Sequence, residues 1–294
     1  MSDVKPYQWP CIQQNIGTWH GAFVEFSPEG QQVKETPSVL TLEETEPGKV
    51  MQLTLERTPP GGTTNVVQQS FHHPGPAPYV LFFESGAFSQ GTPQWSAFGQ
   101  FGAEFSLKVG DRRVRYVVMY ESTQHYTSKI KYVTLICETQ TGSTEFTEPV
   151  PTEKSFMGDW SGAANVLHAT MESPTTGTSQ WKLSRAQNND LTLTCSEQLE
   201  GGLESLELVS DRQSPLSSAT CLVLKGREEK DITYQLMLLP KGAYCLLPQE
   251  IQKETEFRIE VGWLGANGNR ERLIRYYDTR GSWMKSALLS DRAA

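Results

Sequence analysis

An internal echo constrains this chain more than any other feature. Residues 15–21 read NIGTWHG and residues 156–162 read FMGDWSG, which sets Trp19 and Trp160 at an offset of 141 residues. Later segments keep the same order. SVLTL at 38–42 answers to SQWKL at 179–183, and LTL at 53–55 to LTL at 191–193. EFSLKVG at 104–110 answers to EFRIEVG at 256–262, and RRVRY at 112–116 to RLIRY at 272–276. Five matches in order, with an offset that drifts only through loop lengths, point to duplication of one structural unit. A chain of 294 residues then divides into two units of ordinary domain size, each large enough for a core. The expected organisation is one unit over 1–142, a Pro-rich acidic linker over 143–154 and a second unit over 155–294.

Within each unit, apolar and polar residues alternate with period two. Examples are FSLKV at 105–109, RYVVM at 115–119, YVTLIC at 132–137, TCLVLK at 220–225 and FRIEV at 257–261. Such runs, bounded by Gly, Pro, Asn and Asp, predict short strands. Many of them at close spacing predict an all-β fold of sandwich or barrel type rather than βαβ units. One helical turn is expected at 10–15, ahead of the first strand. The Leu pattern at 198–208 is broken by Gly201-Gly202 and is not expected to be helical.

Composition excludes several classes. The net charge of −8 disfavours phosphate backbones, so no nucleic-acid partner is expected. No stretch approaches the roughly 18 apolar residues of a membrane span, and the first residues lack a secretory apolar core. The five cysteines are odd in number and include no CxxC pair, which fits buried thiols of a reducing compartment. A cytoplasmic location is therefore expected. His72 and His73 point to opposite faces of a strand, so no metal site is expected, and no cofactor is implied.

A closed antiparallel barrel removes open sheet edges but needs a stopper at one end. An indole on the first strand can supply it, with a guanidinium from a late strand stacked on its face. Gly17, Trp19 and Arg115 form this set in the first unit, and Gly158, Trp160 and Arg275 in the second. The G-x-W plus late Arg pattern resembles the lipocalin and calycin superfamily. The runs NIGTWHGAFVEFSPEG, ETPSVLTLE and FFESGAFSQGTPQWSAFGQFGAEFSL, with Arg112-Arg113-Val114-Arg115, also resemble an uncharacterised cyanobacterial family with a lipocalin-like N-terminal region. The resemblance implies two tandem lipocalin-like antiparallel β-barrels; it brings no activity with it.

The segment 82–105 is the most distinctive, because it mixes aromatic walls with a few polar groups, as a small-molecule cavity does. The candidate ligand-binding residues are Glu84, Ser89, Gln94, Trp95, Glu104, Arg113 and Tyr116, all in the first unit. No catalytic signature occurs: there is no G-x-S-x-G, H-E-x-x-H, Walker loop or G-x-G-x-x-G, so no catalytic residue is named. The leading expectation is a carrier for a small, largely apolar molecule of the fatty acid, apocarotenoid or tetrapyrrole class. The alternatives are a chromophore lyase or isomerase/cyclase on the same barrel, and a non-catalytic assembly or scaffold protein whose protein partner is unknown.

Overall fold

The computed structural model describes residues 8–76, 79–140, 145–170, 174–211, 213–214, 218, 220–226, 232–265 and 268–294. A short helix α1 (Gln8–Gln13) leads into nine strands. These are β1 (Gly17–Phe26), β2 (Gln32–Glu46), β3 (Val50–Arg57), β4 (Asn65–His72), β5 (Val80–Phe82), β6 (Phe88–Gly91), β7 (Phe101–Val109), β8 (Arg112–Ser122) and β9 (Ser128–Gln140). A 3-10 turn (Glu153–Phe156) opens the second half. There follow β10 (Gly158–His168), β11 (Thr175–Arg185), β12 (Leu191–Leu199), β13 (Gly202–Ser210), β14 (Cys221–Gly226), β15 (Thr233–Leu238), β16 (Ala243–Pro248), β17 (Glu250–Ile251), β18 (Phe257–Leu264), β19 (Asn269–Tyr277) and β20 (Trp283–Ala293).

The fold is all-β with two barrel-like domains. In the second half, ten strands from β10 to β20, without β17, close into an antiparallel barrel. In the first half the strands curl in the order β4-β3-β2-β1-β9-β8-β7-β6-β5, leaving β4 and β5 as its two edges. β17 leaves the barrel and pairs with β9, through Glu250 opposite Lys129 and Ile251 opposite Ser128. The expected helical turn is α1, and residues 198–208 belong to the β12–β13 hairpin.

Alternation sends alternate side chains of the first sheet to opposite faces. On its concave face, α1 closes one end: Trp9, Cys11 and Ile12 pack with Trp19, Leu40, Leu42, Met51, Phe82 and Phe88. On its convex face, Phe101, Phe105, Leu107, Val114, Tyr116, Val118 and Tyr120 pack against the outer wall of the barrel, including Cys245, Ile259, Val261 and Leu273. The largest apolar cluster of the molecule therefore lies between the two domains. Phe101 sits at its centre, edge-on to Phe257 and Tyr277 at 5.7 and 5.2 Å. Tyr116 donates to the Gly262 carbonyl (2.6 Å) and Tyr120 to that of Pro248 (2.8 Å). The described part of the connecting segment is packed as well. Glu148 accepts from Arg112 (2.8 Å), and the Phe146 ring lies 5.6 Å from that of Trp263.

None of the five cysteines is in a disulfide, and all are buried. Burial pushes the thiols of Cys137, Cys195 and Cys221 up to about 12. They pack as small apolar side chains and stay protonated.

Candidate functional site

The same constellation closes one end of both domains. On β1, Trp19 is fully buried and its indole N–H donates to the Asn15 carbonyl (2.9 Å). On β10, the Trp160 N–H donates to the Phe156 carbonyl (3.3 Å). Two residues on, Gly21 and Gly162 leave room for a neighbouring strand. A Cβ would collide with the Cys137 carbonyl oxygen in the first case and with that of Ser290 in the second. Opposite these glycines stand Glu138 and Asp291.

The guanidinium over Trp19 belongs to Arg113, at 4.3 Å, and that over Trp160 to Arg270, at 4.4 Å. This corrects the expected Arg115 and Arg275. Arg115 lies beside Phe23 (5.6 Å) and pairs with Glu104 and Glu138 at 2.8 Å each. Arg275 points away from the barrel interior, stacks on Trp283 at 4.1 Å and donates to Ser89 (2.9 Å). The physical reason is register. RRVRY matches the second half three residues earlier than its letters suggest, and an odd slip sends every side chain to the other face. In space Arg113 and Arg115 answer to Arg270 and Arg272, and both pairs hold a carboxylate, Glu138 or Asp291.

In the closed barrel this motif extends into a layer of buried ions. Arg272 reaches Asp291 (2.6 Å), Glu260 (3.2 Å) and Glu197 (3.3 Å). Arg258 reaches Glu197 (2.9 Å) and Glu260 (3.2 Å). Arg270 pairs with Asp291 (2.9 Å) and is sandwiched between Trp160 and Trp181. Ser179 donates to Asp291 (2.5 Å). Three cations thus face three anions across the barrel, and this layer fills the middle of the interior.

Burial by itself raises the carboxyl pKa of Glu138 and Asp291. The arginine charges and hydrogen bonds outweigh it and hold both carboxyls below the ordinary range. A carboxylate lowered in the folded state contributes stability above its unfolded pKa of about 4, and that stability is lost as pH falls further. Melting temperature is expected to be flat from pH 7 to about pH 5 and to drop steeply below about pH 4. A melt unchanged at pH 3 would show that these ion pairs do not contribute.

The candidate ligand residues do not converge. Glu104 and Arg113 lie on the concave face, where Glu104 also accepts from Gln90 (2.6 Å). Ser89, Gln94, Trp95 and Tyr116 instead hold the seam between domains. Ser89 bonds Arg275 and Ser286, Gln94 bonds the Arg280 carbonyl and Ser282, and the Trp95 backbone N–H donates to the Gly281 carbonyl (2.8 Å). Glu84 is exposed in the turn between β5 and β6. The aromatic richness of 82–105 serves a domain interface, which needs the same walls as a cavity. His20 is exposed, as alternation from Trp19 requires.

The concave face does carry a cup of about 430 Å³ at the end away from Trp19. Phe23 and Val117 form its apolar part, and Glu25, Lys34, Thr36, Arg57, Asn65, Tyr132 and Thr134 ring it. Arg57 covers the Phe23 ring at 5.4 Å. Counting by twos from Trp19 reaches Phe23 and Glu25, so part of the cup is legible in sequence. The cup adjoins β4, which pairs only with β3 among the described residues. β4 carries no Asp, Glu, Lys or Arg, and Val66 and Val67 are exposed. The opposite edge, β5, is covered. Gln8 of α1 donates to the Phe82 carbonyl (3.1 Å) and accepts from its N–H (2.7 Å), as a neighbouring strand would.

Fold and site together define a class: two antiparallel barrel-like domains sharing one core, the second filled by ions and the first open along one edge. A family model described as "Domain of unknown function (DUF3598), N-terminal" matches residues 5–143. One described as "Biogenesis factor required for ATP synthase 1, C-terminal domain" matches residues 148–294. The chain belongs to the family that carries these domains. A solved structure of a DUF3598 family protein from Nostoc punctiforme PCC 73102, a cyanobacterium, is 28% identical with a TM-score of 0.85. It covers 98% of this chain and 99% of that one. The S-type phycobiliprotein lyase of Guillardia theta is 9% identical with a TM-score of 0.37, over 48% of this chain and 90% of that one. No curated protein matches. No helix among the described residues is long and apolar enough to cross a membrane.

Proposed function

We propose that this chain is a non-catalytic assembly factor that captures an extended segment of a client protein by strand addition at β4. The observation that carries this reading is the bare edge. Proteins blunt exposed edges with charges, prolines or bulges, because an open edge recruits other strands. An uncharged eight-residue edge with exposed valines, next to a cup holding Lys34 and Arg57 against Glu25, fits an occupant. A strand added there would direct alternate side chains into the cup, where an acidic one meets the two cations. The family of the second half, described by its link to ATP synthase biogenesis, supports a subunit of that complex as the client. On this reading the two domains are lipocalin-like barrels from one duplicated unit.

The test is binding of purified ATP synthase head subunits to the full chain by biolayer interferometry. Val66→Lys with Gln68→Lys, both facing away from the cup, is expected to weaken the affected complex at least about tenfold. Arg57→Glu should do the same. Unchanged affinity in both variants would remove the edge from the account.

The cup also favours a second reading, a carrier for a small, largely apolar molecule of the fatty acid, apocarotenoid or tetrapyrrole class. Native mass spectrometry of protein from its own host separates the two. A retained pigment or lipid lost on Phe23→Glu would favour the carrier.

A further inference from the structure

Among the described residues the two sheets differ by one strand. Counted outward from β1, the first has β2, β3 and β4 on one side and β9, β8, β7, β6 and β5 on the other. Counted outward from β10, the second has β11, β12 and β13, then β20, β19, β18, β16 and β15, and β14 fills the place between β13 and β15. Every neighbouring pair along the first path is antiparallel, so β4 and β5 run the same way. They cannot extend the antiparallel ladder to each other, whereas one strand between them can, as β14 does between β13 and β15. The chain from β13 to β15 spans residues 211–232 and contains β14. From β4 to β5 it spans only residues 73–79, HPGPAPY, whose three prolines lack ladder donors.

Apolar side chains border that place. Leu53 and Leu55 on β3 are partly buried, as is Val80 at the head of β5. Leu53 stands beside Gln69, Leu55 beside Val67 and Arg57 beside Asn65. Val67 is exposed, and Arg57 shares the cup with Lys34. Resting on the strand-addition reading, we infer that the client segment runs antiparallel to β4, in the place β14 holds in the second domain, with the pattern apolar-x-apolar-x-acidic from its N-terminal end. Register gives the pattern. An antiparallel strand meets Gln69 first, then Val67, then Asn65, and side chains of one face recur at every second position. The first two lie over Leu53 and Leu55, and the third reaches Lys34 and Arg57. β14 is the molecule's own example, because Leu222 and Leu224, two positions apart, both pack in the interior cluster of the barrel. Gln8 already pairs with the Phe82 backbone, so the added strand takes its ladder from β4 alone.

The probes are fluorescein-labelled peptides titrated against the full chain by fluorescence anisotropy. KTLTVTES carries the pattern. KTLVTTES has the same composition with its apolar residues on opposite faces, and SETVTLTK reverses the order. KTLTVTES is expected to bind about tenfold tighter than KTLVTTES and about threefold tighter than SETVTLTK. Arg57→Glu should weaken KTLTVTES about threefold, and a Lys in place of the peptide's Glu should restore the loss. Equal binding of KTLTVTES and KTLVTTES, equal or tighter binding of SETVTLTK, or no binding of any peptide would each overturn the inference. Head subunits that bind through β4 while the peptides fail would leave the strand-addition reading standing without this pattern. Peptides that bind in the expected order while head subunits do not bind would keep the pattern and remove that client.

Discussion

Asp291→Asn is expected to lower the unfolding free energy by about 3–5 kcal/mol, the usual cost of removing one partner from a buried ion pair. The side chain barely changes in size, so packing is kept and only the charge is lost. Among the described residues Asp291 is the sole carboxylate paired with Arg270, which has no exposed surface. Two indole faces remain beside that guanidinium and offset only part of the loss. Arg272 retains Glu197 and Glu260, so it is the less affected partner. Differential scanning calorimetry should show Tm falling by roughly 10 °C. Adding Arg270→Met, which removes the orphaned cation, should restore part of the stability. A double variant no better than Asp291→Asn alone would mean that the pair is not coupled as described.

Phe101→Ala is the second large effect, again about 3–5 kcal/mol, because the ring is wholly buried and the cavity cannot collapse against two other domain-spanning rings. The shape of the transition matters as much as its midpoint. Since the main apolar cluster is shared, the variant should still unfold in one step, with both domains lost together. Two resolved transitions, or a loss under about 1 kcal/mol, would show that each domain relies on its own core.

Strand alternation, the indole stoppers and the faces of neighbouring residues are legible in sequence because they are local. Trp19 buried and His20 exposed follow from period two alone. The arginine assignment failed for a related reason. Matching letters between the two halves aligns composition, whereas a face is set by parity, and Arg275 fell on the wrong one. Glu138, the hub of the first domain, ends the run YVTLICE, and nothing local says that a carboxylate there turns inward. The hairpin at 82–105 shows the deeper limit. Trp95 and Tyr116 are buried as a cavity-lining pair would be, but what covers them is a second domain more than a hundred residues away, through the Gly281 and Gly262 carbonyls.

The short strand β17 carries one last implication. A piece of the barrel is stitched into the neighbouring sheet, and the join is backed by a common interior. The two mouths are therefore held at a constant distance and bearing, like jaws cast from one block. A large client that touched both would meet a ready-made template, and the entropy of aligning the jaws is already spent when the chain folds.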